Sequence, residues 1–272
     1  MKFYKYQGAG NDFIMLNNFN NELSTINLSQ KVVAFLCDRR FGIGADGLIV
    51  LEKHEKADFL MRYYNSDGCE STMCGNGGRC IAAFAKHIGV VNETALKTTF
   101  YAIDGLHEAE YFPNQKNRIK LKMTDVNQIE VGEDYCYLNT GSPHYVKFTD
   151  SADLINVEAE GKKIRYNSRF EKTGTNVNFA KVTENEIIIR TYERGVENET
   201  LACGTGAVAT AIASNIYYNS NFHFYNLSAK GGNLKVSFEK IDSQQIKNIW
   251  LEGDAKFVFE GEIKENQLVE LQ

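Results

Sequence analysis

The chain has 272 residues, of which 43% are hydrophobic and 24% charged, with a formal net charge of −5. That length calls for one large or two medium domains with a sizeable core, and the acidic balance excludes a general nucleic-acid binder, which needs a basic face. No stretch of 18 apolar residues and no apolar leader of signal length occurs, so neither a membrane span nor export is expected, and the protein is read as cytoplasmic.

Aromatic and β-branched segments punctuated by Gly, Asn and Asp give the chain a strand-rich character. In chain order, Leu28–Asp38 is an amphipathic helix with Asn27 or Ser29 as its cap. Phe59–Tyr64 has strand chemistry. Gly75–His87 reads as a helix that is small-residue-rich and apolar on most faces, which marks it as buried. A turn is expected over Pro113–Asn117. Glu186–Tyr192 is a strand, Gly204–Tyr217 a second buried helix, and Phe222–Leu227 and Lys256–Glu260 are further strands.

Six cysteines, Cys37, Cys69, Cys74, Cys80, Cys136 and Cys203, are scattered without C-x-x-C spacing and without a neighbouring His. Disulfides and a zinc site are therefore not expected, nor is any other metal. Two of the six stand in a repeated setting. Glu70-Ser71-Thr72-Met73-Cys74-Gly75-Asn76-Gly77 and Glu199-Thr200-Leu201-Ala202-Cys203-Gly204-Thr205-Gly206 both read E-[S/T]-x-x-C-G-x-G and both open a buried helix. They lie 129 residues apart, close to half the chain, and predict an internal duplication: two strand-rich units, each wrapped round one helix.

A helix start leaves backbone N–H groups without partners and carries a partial positive charge. Glycine beside it lets a carboxylate approach, and the same field favours a thiolate over a thiol. One cysteine in such a place is more often a core residue than a catalyst. Two in duplicate supply what stereoinversion of an amino acid needs: a thiolate to take the α-proton from one side, a thiol to return one from the other, and N–H donors for the carboxylate. That chemistry calls for no Schiff-base cofactor, and nothing around the lysines resembles a pyridoxal-phosphate cradle. The G-A-G-N-D-F and G-I-G-A-D-G strings lack the spacing and setting of a nucleotide loop. Cys37, Cys69, Cys80 and Cys136 are read as structural.

Six stretches together resemble the diaminopimelate epimerase family. They are Lys5-x-x-Gly8-Ala9-Gly10-Asn11-Asp12-Phe13; Asp38-Arg39-Arg40-Phe41-Gly42-Ile43-Gly44-Ala45-Asp46-Gly47; Tyr64-Asn65-Ser66-Asp67-Gly68 through Cys74-Gly75-Asn76-Gly77; Gly141-Ser142-Pro143-His144; Thr175-Asn176-Val177-Asn178-Phe179; and Tyr192-Glu193-Arg194-Gly195 through Cys203-Gly204-Thr205-Gly206. They run from residue 5 to 206 in the family's order.

The resemblance implies an α/β (α+β) fold of two pseudo-symmetric units. Each would be a curved, mostly antiparallel sheet round a central helix, with the active site in the cleft between them. The N-terminal unit would hold 1–117 and 262–272, the C-terminal unit 118–261. The implied reaction interconverts LL- and meso-2,6-diaminopimelate, feeding lysine and peptidoglycan synthesis, with no cofactor. Cys74 and Cys203 would be the acid–base pair. Gly75, Asn76, Gly204 and Thr205 would hold the reacting carboxylate. Asn11, Asn65, Asn176 and Arg194 would bind the substrate, especially its distal end, and Glu193 would also touch it and, with His144, tune the thiols. Amide and guanidinium groups suit a zwitterionic end, because they donate to carboxylate and accept from ammonium between them. The expected partner is a small-molecule substrate, with neither nucleic acid nor membrane, and the family resemblance suggests a homodimer. Two positions depart from the family pattern: Ser142, where many members have Asn, and Gly47, where some have Gln.

Overall fold

A computed structural model of the chain describes residues 1–264 and Leu268. The chain divides into two compact units, Met1–Leu121 with the chain from Asp254 onward, and Lys122–Gly253.

In unit 1, β1 (Lys2–Gly8) pairs antiparallel with β2 (Asn11–Asn18). After α1 (Gln30–Cys37) the chain returns as β3 (Gly47–Glu52), parallel to β2. β4 (Phe59–Asn65) runs antiparallel to β3, and the two-residue β5 (Glu70–Ser71) lies against β4. α2 (Gly75–His87) follows, and β6 (Lys97–Ala102) lies parallel to β4. The hairpin partners β7 (Gly105–Phe112) and β8 (Gln115–Lys122) complete the run.

Both faces of this sheet are covered, which is why β2 and β3 carry unbroken apolar runs instead of alternating with polar residues. Ile14, Leu16, Leu48, Val50 and Tyr64 pack with Val32, Val33 and Leu36 of α1. The intervening side chains Phe13, Ile49 and Met61 turn to the other face, against α2 at Gly77. Each such fully buried aliphatic side chain contributes about 1.5–3 kcal/mol. Ser29 caps α1, its hydroxyl accepting from the Val32 N–H.

Unit 2 repeats the plan strand for strand. β9 (Ile129–Val131) and β10 (Tyr135–Asn139) are antiparallel, as are β10 and β11 (Pro143–Phe148). After α3 (Val157–Arg165), β12 (Asn176–Thr183) returns parallel to β11. β13 (Glu186–Glu193) and β14 (Asn198–Thr200) follow, each antiparallel to the last. Then come α4 (Gly204–Tyr217), β15 (Phe224–Ala229) parallel to β13, β16 (Gly232–Lys240), and β17 (Ile246–Asp254) antiparallel to β16. The last strand, β18 (Lys256–Glu262), belongs to unit 1 and pairs along β1 as β9 does along β10. The fold is thus a duplicated, mostly antiparallel α/β unit.

The buried helices α2 and α4 span the residues expected of them. Each unit also carries an outer helix, so the described residues hold four helices where the sequence reading gave three. α3 went unread, although it occupies the same crossover in unit 2 that α1 occupies in unit 1. Contacts also set the unit limits differently from the expected 117/118 and 261/262. Pro113 and Asn114 form the turn of the β7–β8 hairpin, so β8 stays with its partner. At the far end, the pairing of β18 with β1 draws the chain back at Asp254. Of the expected segment 262–272, residues 265–267 and 269–272 lie outside the described residues. No helix among the described residues is long and apolar enough to cross a membrane.

Candidate active site

Cys74 is the N-cap residue of α2 and Cys203 that of α4, both in extended conformation. Neither helix start has a side-chain cap, whereas Ser29 and Asn156 cap α1 and α3. In the two outer helices a side chain thus satisfies one of the first N–H groups, and at the two cysteine-headed starts no side-chain cap does so.

Unit 1 surrounds Cys74 with amides. The thiol points at Asn11 Oδ1, 3.7 Å away, and Asn76 Nδ2 donates to the same oxygen at 3.4 Å. Asn11 is oriented by its own donation to Asp46 Oδ2 at 2.7 Å, and Asp46 is held in turn by Arg39. Burial would raise the neighbouring Asp12 carboxyl, but hydrogen bonds from Arg39 and Lys5 outweigh it and hold the group well below the ordinary carboxylate range. Asn65 ends β4 directly opposite Gly47. Its side-chain amide makes no hydrogen bond among the described residues. At Gly47 a Cβ would stand 2.6 Å from the Tyr63 ring and from Tyr64 O, so the Tyr63 ring fills the space a larger residue would need.

In unit 2, strand alternation turns Val177, Phe179 and Tyr192 toward α3, and the residues between them toward α4. His144 is fully buried there. Its Nε2 lies 2.9 Å from Thr205 Oγ1, its Nδ1 accepts from Asn178 Nδ2 at 3.0 Å, and Asn178 Oδ1 accepts from Thr191 Oγ1 at 2.9 Å. Thr205 Oγ1 is 3.4 Å from Cys203 Sγ. Four side chains thus lead in file to one sulfur. Burial, aided by the positive charge of Arg194, pushes the His144 imidazole down to about 3, so it is neutral in ordinary buffers.

Asn176 stands at the head of β12 with its amide engaged: Nδ2 donates to Ser142 Oγ at 2.9 Å and to Pro143 O at 3.1 Å, and Oδ1 accepts from Arg194 N at 2.9 Å. Arg194 is exposed, tied to Thr173 O, and Glu193 is the half-buried last residue of β13. The glutamates of the repeated string are structural in both units. Glu70 pairs with Arg62, and Glu199 with Arg190 and Lys230, across neighbouring strands or turns.

Arg79, Asn178, Thr191 and Asp46 were given no role from the sequence. The available signals were a charged residue inside an apolar helix and polar residues inside buried strands. A cavity of about 1020 Å³ opens at the far end of α2, lined by Tyr6, Lys86, His87, Tyr111 and Arg118 among others. None of the residues expected to handle substrate borders it.

The sequence profile described as Diaminopimelate epimerase matches residues 3–129 and 136–258. The chain belongs to the diaminopimelate epimerase family. It is 50% identical over 261 residues to the diaminopimelate epimerase of Flavobacterium psychrophilum, covering 96% of this chain and 99% of that protein. It is 42% identical to that of Chlorobaculum tepidum, covering 94% and 98%. Among solved structures, a PhzF-family phenazine biosynthesis protein from Bacillus anthracis superposes with a TM-score of 0.74 at 15% identity, covering 97% of this chain and 99% of that one. A hydroxyproline epimerase from Agrobacterium vitis, with trans-4-hydroxy-L-proline bound, gives 0.67 at 12% identity, covering 97% and 90%. At those identities the likeness of this chain to these proteins is one of fold alone.

Proposed function

We propose that this chain is a diaminopimelate epimerase, an isomerase that interconverts LL- and meso-2,6-diaminopimelate in lysine and peptidoglycan precursor biosynthesis. The observation that carries the reading is the 50% identity over 96% of the chain to a named diaminopimelate epimerase.

Cys74 and Cys203 are the two bases. One sulfur, as thiolate, takes the α-proton; the other, as thiol, returns a proton to the opposite face, and the reverse reaction exchanges their parts. The reacting carboxylate is held by the N–H groups at Gly75 and Asn76 and at Gly204 and Thr205. These donors stand fixed where charge gathers as Cα loses its proton, so they lower the barrier without reorganising. No Schiff base enters, because the carboxylate and its donors carry the developing charge. Asn11, Asn65, Asn176 and Arg194 bind the substrate, chiefly its distal amino-acid end, with Asn65 supplying an open amide, and Glu193 also touches it. His144 and Glu193 set the acidity of the thiols.

Incubation with LL-diaminopimelate in deuterium oxide tests this. An epimerase places deuterium at Cα and produces the meso isomer, with no turnover of L-proline. Binding without α-exchange reduces the protein to a zwitterion-binding module, and turnover of proline in preference reassigns the substrate. Cys74→Ala and Cys203→Ala should each abolish epimerisation, and normal turnover by either variant removes that residue from the mechanism.

The enzyme is cytoplasmic and works as a homodimer in this reading. β18 leaves Phe257, Val258 and Phe259 exposed, and β1 is its one strand partner among the described residues. An apolar edge strand of this kind favours a second copy. Light scattering at micromolar concentration should give twice the chain mass of 30.7 kDa; a monomer rejects it.

A further inference from the structure

We propose that Arg79 is a positioning residue that makes Cys74, rather than Cys203, the thiol that gives up its proton first. The proposal rests on the acid–base reading of the two cysteines.

Arg79 sits in the first turns of α2 and is fully buried. Nη1 donates to Gly75 O at 3.1 Å and Nη2 to Asn76 Oδ1 at 2.9 Å, while Nε has no partner. No carboxylate forms an ion pair with it among the described residues. A guanidinium keeps its charge at any pH where proteins fold, and a buried charge without a counter-ion is costly. The acidic groups that act most strongly on its charge are the thiols of Cys80 and Cys74, ahead of the Asp254 carboxylate. Burial pushes Cys80 up to about 12, so that thiol stays neutral. Cys74 is half-buried, at the helix start, and its thiolate is the anion that completes the arrangement.

The other charges close by are already matched: Arg118 with Asp254 at 3.4 Å, Arg39 with Asp46 at 2.7 Å, and Lys5 with Asp12 at 2.8 Å. Arg79 also fixes the Asn76 amide. With Oδ1 held from behind, Nδ2 must face Asn11 and the Cys74 side.

Among the described residues, unit 2 has no buried arginine at the matching place. The position 129 residues after Arg79 is Val208. The residue matching Asn76 is Thr205, and its support is His144, which is neutral. The charged groups at the end of β13 are Glu193 and Arg194, opposite in sign, with Arg194 exposed to solvent and to its screening. The same site in the two halves is thus backed by a buried cation in one and a neutral ring in the other.

The test is the pH dependence of iodoacetamide alkylation in the substrate-free full chain, read at Cys74 and Cys203 separately by peptide mass spectrometry. Midpoints, not rates, remove the difference in exposure between the two sulfurs. In the wild-type protein the Cys74 midpoint should lie below that of Cys203. In Arg79→Met the Cys74 midpoint should rise by about one pH unit, with about tenfold slower alkylation at pH 7, and that of Cys203 should stay in place. Arg79→Lys keeps the charge and should restore most of the shift. An unmoved Cys74 midpoint in Arg79→Met, or equal shifts at both cysteines, overturns the proposal. If Arg79→Met does not fold, the wild-type order decides, and Cys203 titrating at or below Cys74 overturns it. Failure of α-deuterium exchange would instead sink the epimerase reading while leaving these midpoints measurable.

Discussion

His144 Nε2 stands 2.9 Å from Thr205 Oγ1, and that contact orders the hydrogens behind Cys203. Thr191 donates to Asn178 Oδ1, so the Asn178 Nδ2 group must face His144 Nδ1. Nδ1 is then an acceptor, Nε2 carries the ring hydrogen, and Thr205 is left with its own hydroxyl hydrogen for the Cys203 sulfur.

Asn178→Asp reverses the first donor. A carboxylate facing Nδ1 draws the ring hydrogen to that side, and Nε2 no longer donates to Thr205. We expect kcat to fall by about tenfold or more with far less change in thermal stability. Nitrogen-15 shifts of His144 should report the exchanged tautomer, and an unchanged ring spectrum removes Asn178 from this role.

Thr205→Val keeps the shape of the side chain and deletes the hydroxyl between His144 and Cys203. His144 Nε2 then keeps its hydrogen with no acceptor, at a cost of about 1–3 kcal/mol for a buried donor. Alkylation of Cys203 should move to higher pH, while Thr205→Ser should retain wild-type behaviour. Equal alkylation profiles for Val and Ser exclude the hydroxyl from tuning the sulfur.

Stability below neutral pH follows from the same ring. His144 titrates at 6.5 when unfolded and about 3 when folded. Between those values the unfolded state holds a proton that the native state refuses, so stability falls as pH drops below 6.5 and is unaffected above it. The slope approaches about 1.4 kcal/mol per pH unit. Urea unfolding of wild-type protein and His144→Gln between pH 7 and 4.5 should show a steeper decline in the wild type. Parallel curves would mean that the native imidazole is protonated after all.

How much of this was readable in the residues depends on whether a local pattern or a packing event fixed each feature. α2 and α4 were legible because Cys-Gly starts and apolar, small-residue runs are local signals. α3 was not: Val157–Arg165 carries Gly161 and few apolar residues, so its helix depends on docking beneath Tyr192 and Val177. The duplication could have supplied it, since α1 marks the matching crossover. Asn11 and Asn65 were singled out through the family resemblance, since their own strings also read as turns. That the Asn11 and Asn176 amides are already engaged while that of Asn65 is not depends on partners distant in sequence. Arg79 did leave a signal, a charged residue inside an apolar helix, but only the folded unit shows that its guanidinium is sealed inside.

Gly206 and Gly77 hold matching places in the two C-G-x-G starts, yet they should not tolerate alanine equally. A Cβ on Gly206 would lie 2.5 Å from Asn178 Oδ1, 3.2 Å from Cys203 Cβ and 3.3 Å from His144 Cε1. The first of these is far inside contact distance, and Asn178 is pinned on both sides, so the hydrogen-bonded file must shift to admit the methyl. On Gly77 the neighbours are Ile49 Cδ1 at 3.0 Å and Met61 Cε at 3.3 Å, both ends of flexible apolar side chains. There the helix propensity of alanine, worth about 1 kcal/mol over glycine, offsets the crowding. We expect Gly206→Ala to cost about 2–3 kcal/mol and to suppress activity through Cys203, and Gly77→Ala to remain within about 1 kcal/mol of wild type. Chemical unfolding of the two variants side by side measures the difference. Equal destabilisation would mean that Asn178 and His144 can yield, and the ordered file behind Cys203 would lose its claim to rigidity.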